Sequence, residues 1–407
     1  MKKICIVTSI HLSYNPRVLK EADAFYSAGY AVTVLTINGN DRLHKFDREL
    51  MRYRQWQLKT VNFRRENKHE KLNWIGLTII HLFFRLLSKA TYRFGFGEQS
   101  ALKGYHPLLR LAKKEKADFY LVHHAEALAI GYKAAKSANA KFGFDAEDFQ
   151  TGMVEAKADI AEAKLLTFLE CKYLPSCKYF TAASKGIGAA YSKKYGVGPF
   201  ATVLNVFPKE DLRENGLTQP VKFYWYSQVI GPNRSLEILL EAASLLNEPF
   251  ELHLRGKFNN GEYEKLLKGK VKRMNIESNV FFHEPIVAEE IIKDASKYDV
   301  GLAIETDISF NRNICVTNKV FSYLMSGLAI VGSDTAGQLD IFSHFADAVH
   351  ICRKNDTKSL GEAMLYFIKN PEALMQAKRA AKQAACDRYN WEFESTLLLE
   401  HFKKTLV

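Results

Sequence analysis

Short apolar runs alternate with helix-length segments along almost the whole chain, and this alternation constrains the fold more than any other feature. Ile4 to Thr8 (ICIVT) is followed by a loop, His11 to Pro16, and a helix near Arg17 to Ala28; Gly29 and a second apolar run, Ala31 to Thr36 (AVTVLT), complete the unit. Such a strand-helix-strand unit predicts parallel pairing in a doubly wound sheet. Further strands are expected at Phe119–Val122, Lys141–Phe144, Tyr179–Ala182 and Thr202–Leu204, with a long helix from Ala156 to Leu174 broken at Pro175. The alternation restarts at Lys222–Tyr226 and continues through Phe250–Arg255, Val280–His283, Val300–Ile304, Leu328–Val331 and Val349–Cys352. The predicted fold class is therefore α/β, with two Rossmann-like doubly wound domains facing each other. At 407 residues the chain is too long for one ordinary domain and suits two. The expected domains are 1–207 and 208–390, divided near Pro208 and the polar run that follows it, with a final helical segment, 391–407.

Charge narrows the partners. There are 57 Lys and Arg against 45 Asp and Glu, a net +12. An anionic partner is implied: nucleotide, phosphate or an acidic membrane surface. The excess is concentrated between Arg42 and Arg93, with 13 basic and 4 acidic residues. Segment 42–95 reads as a basic insertion. It encloses Trp74 to Leu87 (WIGLTIIHLFFRLL), a helical stretch too short to span a bilayer. That stretch can lie in a membrane interface, held by its basic flanks, or pack as a buried helix on the first sheet. Six scattered cysteines without metal spacing predict reduced thiols in a cytoplasmic protein. The N-terminus runs straight into a strand and does not read as a signal peptide.

Doubly wound sheets bind ligands at the carboxyl ends of their strands, so the polar residues there are the site candidates. In the first half these are Asn15, Arg17, His123, His124, Asp145, Glu147 and Asp148. Arg17 can instead pair with Glu21, its i+4 neighbour. In the second half they are Gln228, Arg234, Arg255, Lys257, Glu305, Asn318 and Lys319. Arg234 opens a helix, where the macrodipole disfavours a cation unless an anion is bound beside it. Thr317 is the expected N-cap of a helix Asn318–Ser326, stopped by Gly327. Its free N–H groups and Lys319 suit a phosphate. No GxGxxG, Walker, GxSxG or HExxH sequence is present, and the nearest carboxylate pair, Glu305 and Asp307, is a weak metal signal. No cofactor, metal ion or nucleic-acid partner is expected.

Several of these residues form longer motifs. Asn15-Pro-Arg17-Val-Leu-Lys-Glu21 with the following AGYAVTVLT, Ala117-Asp118 through His123, Asp145-Ala-Glu-Asp148, Arg234-Ser-Leu-Glu237, and Asn318-Lys319-Val-Phe-Ser-Tyr323 with Gly327 stand in that order. Together they resemble the retaining GT-B glycosyltransferases of family four, and the resemblance covers nearly the whole chain. It implies sugar transfer from a nucleotide-diphosphate donor to an acceptor hydroxyl with retained anomeric configuration. Arg234, Lys319 and the helix start at Asn318 would meet the diphosphate, and His123 the donor sugar. The base would lie by the backbone of Phe282-His283-Glu284, and the final helix would cross back to the first domain. The family's ribose-binding Glu falls on Ser322, its partner Glu on Ile314, and a diphosphate-binding Arg on Gln228.

The expected catalytic residues are His123, Arg234, Lys319 and Asp145, Asp145 being the candidate nucleophile of a double displacement. The expected donor-binding residues are Asn15, Arg17, Gln228, Arg255, His283, Glu305, Asn318 and Ser322. The function expected is a glycosyltransferase building a cell-surface polysaccharide or glycolipid, with a nucleotide sugar and a glycan or lipid-linked acceptor as partners. It would work at the inner face of the plasma membrane. A nucleotide-sugar epimerase of the same fold and a non-catalytic nucleotide-sugar-binding protein are the alternatives.

Overall fold

The apolar runs pair as two all-parallel sheets in the computed structural model, which describes residues 1–155, 160–212 and 216–406. The first sheet contains β1 (Lys3–Thr8), β2 (Ala31–Asn38), β3 (Gln57–Asn62), β4 (Phe119–His123), β5 (Lys141–Ala146), β6 (Tyr179–Ala182) and β7 (Ala201–Thr202). Their order is β3-β2-β1-β4-β5-β6-β7. The second contains β8 (Val221–Ile230), β9 (Phe250–Phe258), β10 (Val280–His283), β11 (Val300–Ala303), β12 (Ala329–Ser333) and β13 (Val349–Cys352). Their order is β10-β9-β8-β11-β12-β13. Each sheet winds outward in both directions from its first strand, so each has a topological switch point, β1/β4 in one and β8/β11 in the other.

The chain divides into two units, Met1–Val203 with Ser395–Val407, and Leu204–Glu394. The central strands are apolar on both faces because helices cover both: Phe119, Tyr120, Leu121 and Val122 are all fully buried. The last helix, Trp391–Leu406, starts in the second unit, where the Trp391 N–H donates to Phe207 O at 2.9 Å. From Ser395 it belongs to the first unit, and there Phe402 packs on Phe25 at 4.7 Å and Phe119 at 4.8 Å between ring centroids. The helix expected from Ala156 begins outside the described residues; it is present from Ile160 to Tyr173, and a 3-10 turn, Leu174–Ser176, ends it at Pro175.

Three features depart from the sequence expectation. β3 (QLKTVN) lies at the sheet edge, where charged side chains are tolerated, and so carries no apolar signature. β8 and β9 run on beyond Tyr226 and Arg255 through segments expected to be loops, with a bulge between Tyr226 and Val229. Gly256 makes that possible: its φ is +152°, and a Cβ there would meet Ser227 O at 2.4 Å. The helix carrying WIGLTIIHLFFRLL spans Lys71–Ala90, and none of its residues is buried, which removes the buried-helix reading. Among the described residues no helix is long and apolar enough to cross a membrane.

Candidate functional site

At the switch point of the first sheet, β-register places Thr8 beside His123, His123 beside Asp145, and Asp145 beside Thr181. Paired residues of parallel strands point to the same face, so these four side chains form a row. The helix Pro16–Ser27 lies against it, started by Pro16 and by the Asn15 side chain, which accepts the Val18 N–H at 3.1 Å. Arg17 then drops into the row. Its Nε donates to Asp145 Oδ1 at 2.7 Å, Nη2 to Asp145 Oδ2 at 2.7 Å and Nη1 to Val203 O at 2.6 Å. One turn on, Glu21 accepts from His123 Nε2 at 3.1 Å, while His123 Nδ1 donates to Glu147 Oε1 at 3.2 Å.

These groups are interior: Arg17, Glu21 and His123 are 0% exposed and Asp145 1%. Burial disfavours the His123 cation, but Glu21 and Asp145 outweigh it and push the imidazole up to about 10. Burial likewise raises Asp145, yet Arg17 and His123 bring it down to about 2. Arg17, His123 and Asp145 are thus charged at neutral pH, while burial and the nearby Asp145 raise the Glu21 carboxyl above its ordinary value. Glu21, His123 and Asp145 bring ligand atoms within 4.8 Å of one another. Arg17 already takes both Asp145 oxygens, and a protonated His123 has no lone pair to offer, so the group does not suit a divalent ion.

Asn15, Arg17, His123 and Asp145, expected at the carboxyl ends of the first unit's strands, lie there and are enclosed in this row. Asp145, held by Arg17 and by the Thr181 hydroxyl, is not free to attack a sugar. His124, the next residue, is half-buried with φ +71°, and its Nδ1 lies 3.3 Å from Thr8 Oγ1.

The second switch point is cationic. Glu305 follows β11, and its backbone N–H donates to Ser333 Oγ at 2.9 Å. Lys319 is the second residue of the helix Asn318–Ser326, whose N-cap Thr317 makes no side-chain cap bond and whose stop, Gly327, has φ +68°. Lys319 Nζ donates to Glu305 Oε1 at 2.6 Å and lies 5.8 Å from the centre of the Trp225 ring. Arg312 takes the other Glu305 oxygen from a short helix, Phe310–Ile314, whose N-cap Ser309 accepts the Arg312 N–H at 3.1 Å. Although burial raises Glu305, Lys319 and Arg312 hold it below the usual carboxylate range.

Arg234 completes the group. Burial and the neighbouring Arg312 depress its pKa, and Glu305 opposes them. Among the described residues it has no hydrogen-bond or ion-pair partner. The residues on either side of it, Asn233 and Ser235, are held in the left-handed region at φ +63° and +60°. Such backbone persists where the surroundings enforce it, commonly at ligand-binding turns. Lys319 and Arg312 thus share the Glu305 carboxylate, and Arg234 feels its charge without bonding to it. Among the described residues of this unit, the buried side-chain atoms lacking a hydrogen bond are Trp225 Nε1, Ser235 Oγ, Thr306 Oγ1, Thr335 Oγ1 and Gln338 Oε1. Of these, Ser235 follows Arg234, Thr306 follows Glu305, and the Trp225 ring lies beside Lys319.

The remaining candidates are dispersed. Asn318 is exposed at the helix start. Gln228 is exposed on the β8 bulge. Arg255 is tied to Asp294 Oδ2 at 2.8 Å and Glu284 O at 2.6 Å. His283 Nε2 lies 2.9 Å from His253 Nδ1, on a ring pair that burial drives toward neutrality. Ser322, expected at the ribose, is fully buried: it accepts from Tyr226 OH at 2.9 Å and donates to Lys319 O at 2.8 Å. The helix turns Ser322 into the core. Arg312 and Trp225 were missed; no motif marks either.

No protein-family model matches the chain, and no curated protein matches its sequence. Solved structures match it along its length. HepE from Anabaena, solved with UDP-glucose, has a TM-score of 0.69 at 12% identity, covering 99% of this chain and 100% of that one. TarM of S. aureus, solved with UDP, has 0.70 at 11%, with 99% and 100% covered. Sucrose-phosphate synthase from Thermosynechococcus elongatus has 0.67 at 12%, with 99% of each covered. With its two doubly wound parallel sheets and long C-terminal helix, the chain has the GT-B fold of these glycosyltransferases.

Proposed function

We propose that the protein transfers a sugar from a nucleotide-diphosphate donor to an acceptor hydroxyl with retention, and that the product is a cell-surface polysaccharide or glycolipid. The observation that carries the reading is the group Arg234, Arg312 and Lys319 near the carboxylate Glu305 at the second switch point. An excess of fixed positive charge at strand ends suits a diphosphate. The likeness in fold to glycosyltransferases solved with UDP and UDP-glucose supports the donor class.

In the reaction the bond between the anomeric carbon and the diphosphate oxygen breaks, and negative charge builds on the leaving phosphate. Arg234, Arg312, Lys319 and the N–H groups at Asn318 stabilise that charge. The acceptor oxygen bonds to the anomeric carbon on the face the phosphate leaves, and the departing phosphate takes its proton. The enclosure of Asp145 by Arg17 and Thr181 favours this route over a double displacement through that carboxylate. The route requires no metal ion.

The test is a turnover assay on a panel of UDP-, GDP- and other nucleotide sugars, with and without simple glycoside acceptors. Release of a nucleoside diphosphate together with free sugar or glycoside is the expected result. An isomerised donor, or binding without turnover across the panel, overturns the proposal.

A further inference from the structure

We infer that the outward face of the helix Lys71–Ala90 is a docking surface for an anionic membrane. This goes beyond sugar transfer and does not rest on it. The helix has two apolar faces. One packs inward through half-buried residues: Phe84 meets Phe96 at 6.1 Å and His106 at 5.9 Å between ring centroids, and Lys103 lies over Trp74 at 4.5 Å. The opposite face carries Leu72, Ile75, Ile79, Leu82, Phe83 and Leu86, and all six are exposed, Leu72 to 80%. Their spacing keeps them on one side of the helix over about four turns. Just past the helix, Phe94 is 84% exposed. A contiguous apolar stripe of this length in water marks a surface that is covered in use.

Charge identifies what covers it. Leu72 to Phe84 contains no charged residue, whereas Lys68 and Lys71 precede the stripe, Arg85 stands in its last turn, and Lys89 and Arg93 follow it, all exposed. The segment from Arg42 to Arg93 carries 13 basic and 4 acidic residues, a net +9. A second copy of the chain docked on this face would bring two such segments together and repel. An anionic lipid surface meets the same arrangement favourably: the stripe enters the acyl boundary and the cations meet headgroups at either end. The helix lies along the surface and does not span, because its other face is occupied by protein.

The experiment is co-sedimentation of the full chain with phosphatidylglycerol–phosphatidylcholine vesicles and with phosphatidylcholine vesicles. The unmodified chain is expected to pellet with the anionic vesicles at low salt. The double variant Leu82→Asp, Phe83→Asp changes exposed residues only, and its fold is checked by circular dichroism. It is expected to lose roughly 10-fold or more in binding. Lys68→Gln, Lys71→Gln, Lys89→Gln, Arg93→Gln is expected to lose the preference for anionic lipid, as does the unmodified chain at about 0.5 M salt. Thermal stabilisation by the nucleoside diphosphate is expected to be unchanged in both variants. No binding of the unmodified chain at low salt, or undiminished binding of the aspartate variant, overturns the inference. So does a dimer in solution that the aspartate variant dissociates, since the face would then be covered by a second copy.

Discussion

Lys319→Ala lowers sugar transfer roughly 100- to 1,000-fold, the cost of removing one fixed donor aimed at developing charge, and leaves the second unit folded. The fold survives for two reasons. Alanine is the best helix former, so the helix Asn318–Ser326 keeps its second position. Glu305 loses Lys319 but keeps Arg312, so no buried carboxylate is orphaned. Because the lysine acts on charge that appears as the phosphate leaves, kcat falls more than KM rises. Steady-state kinetics beside a circular dichroism melt decides the matter. A variant with unaltered turnover removes Lys319 from the reaction, and one that melts early makes it a structural residue.

Asp145→Asn has the opposite signature. It destabilises the first unit by about 3–5 kcal/mol, the cost of breaking a buried ion pair from one side. Arg17 and His123 would be left as two interior cations facing Glu21. The stability of this cluster also depends on pH at both ends. His123 is raised above its ordinary 6.5 to about 10, so its contribution is complete below 6.5 and is lost as pH rises toward 10. Asp145 is lowered from 3.8 to about 2, so its contribution is complete above 3.8 and is lost as pH falls through 2. Urea titrations of the first unit between pH 6.5 and 10 are expected to show falling stability, and His123→Gln to flatten that slope. An Asp145→Asn protein of full stability without turnover would instead make Asp145 a catalytic residue.

The sequence shows why such different roles look alike beforehand. Strand positions were legible because apolar runs such as ICIVT and FYLV suit only a buried parallel strand. Lys319 and Glu305 were legible because each sits at a strand or helix end, where the doubly wound fold exposes polar groups. His123 and Asp145 occupy equivalent ends, but cross-strand register and the overlying Arg17 decide whether such a residue faces ligand or core, and neither is local information. The burial of Ser322 was hidden for a related reason. Eight of the nine residues of its helix, Lys319 to Ser326, are buried, so a polar side chain there is no mark of an exposed face. Arg312 was invisible because its five-residue helix, Phe310–Ile314, has no apolar periodicity to announce it. β3 was lost because an edge strand rich in polar residues resembles a loop.

Whether the second unit's cations grip a diphosphate is read most directly at Arg234, which among the described residues has no hydrogen-bond or ion-pair partner to confuse the result. The measurement is calorimetric titration of the unmodified chain and Arg234→Ala with the nucleoside diphosphate released in the transfer assay, and with the corresponding nucleoside. The variant is expected to lose about 1.5–3 kcal/mol for the diphosphate, or roughly 10- to 100-fold. Nucleoside affinity should not change. Equal diphosphate affinity in the two proteins would contradict a diphosphate held by these cations.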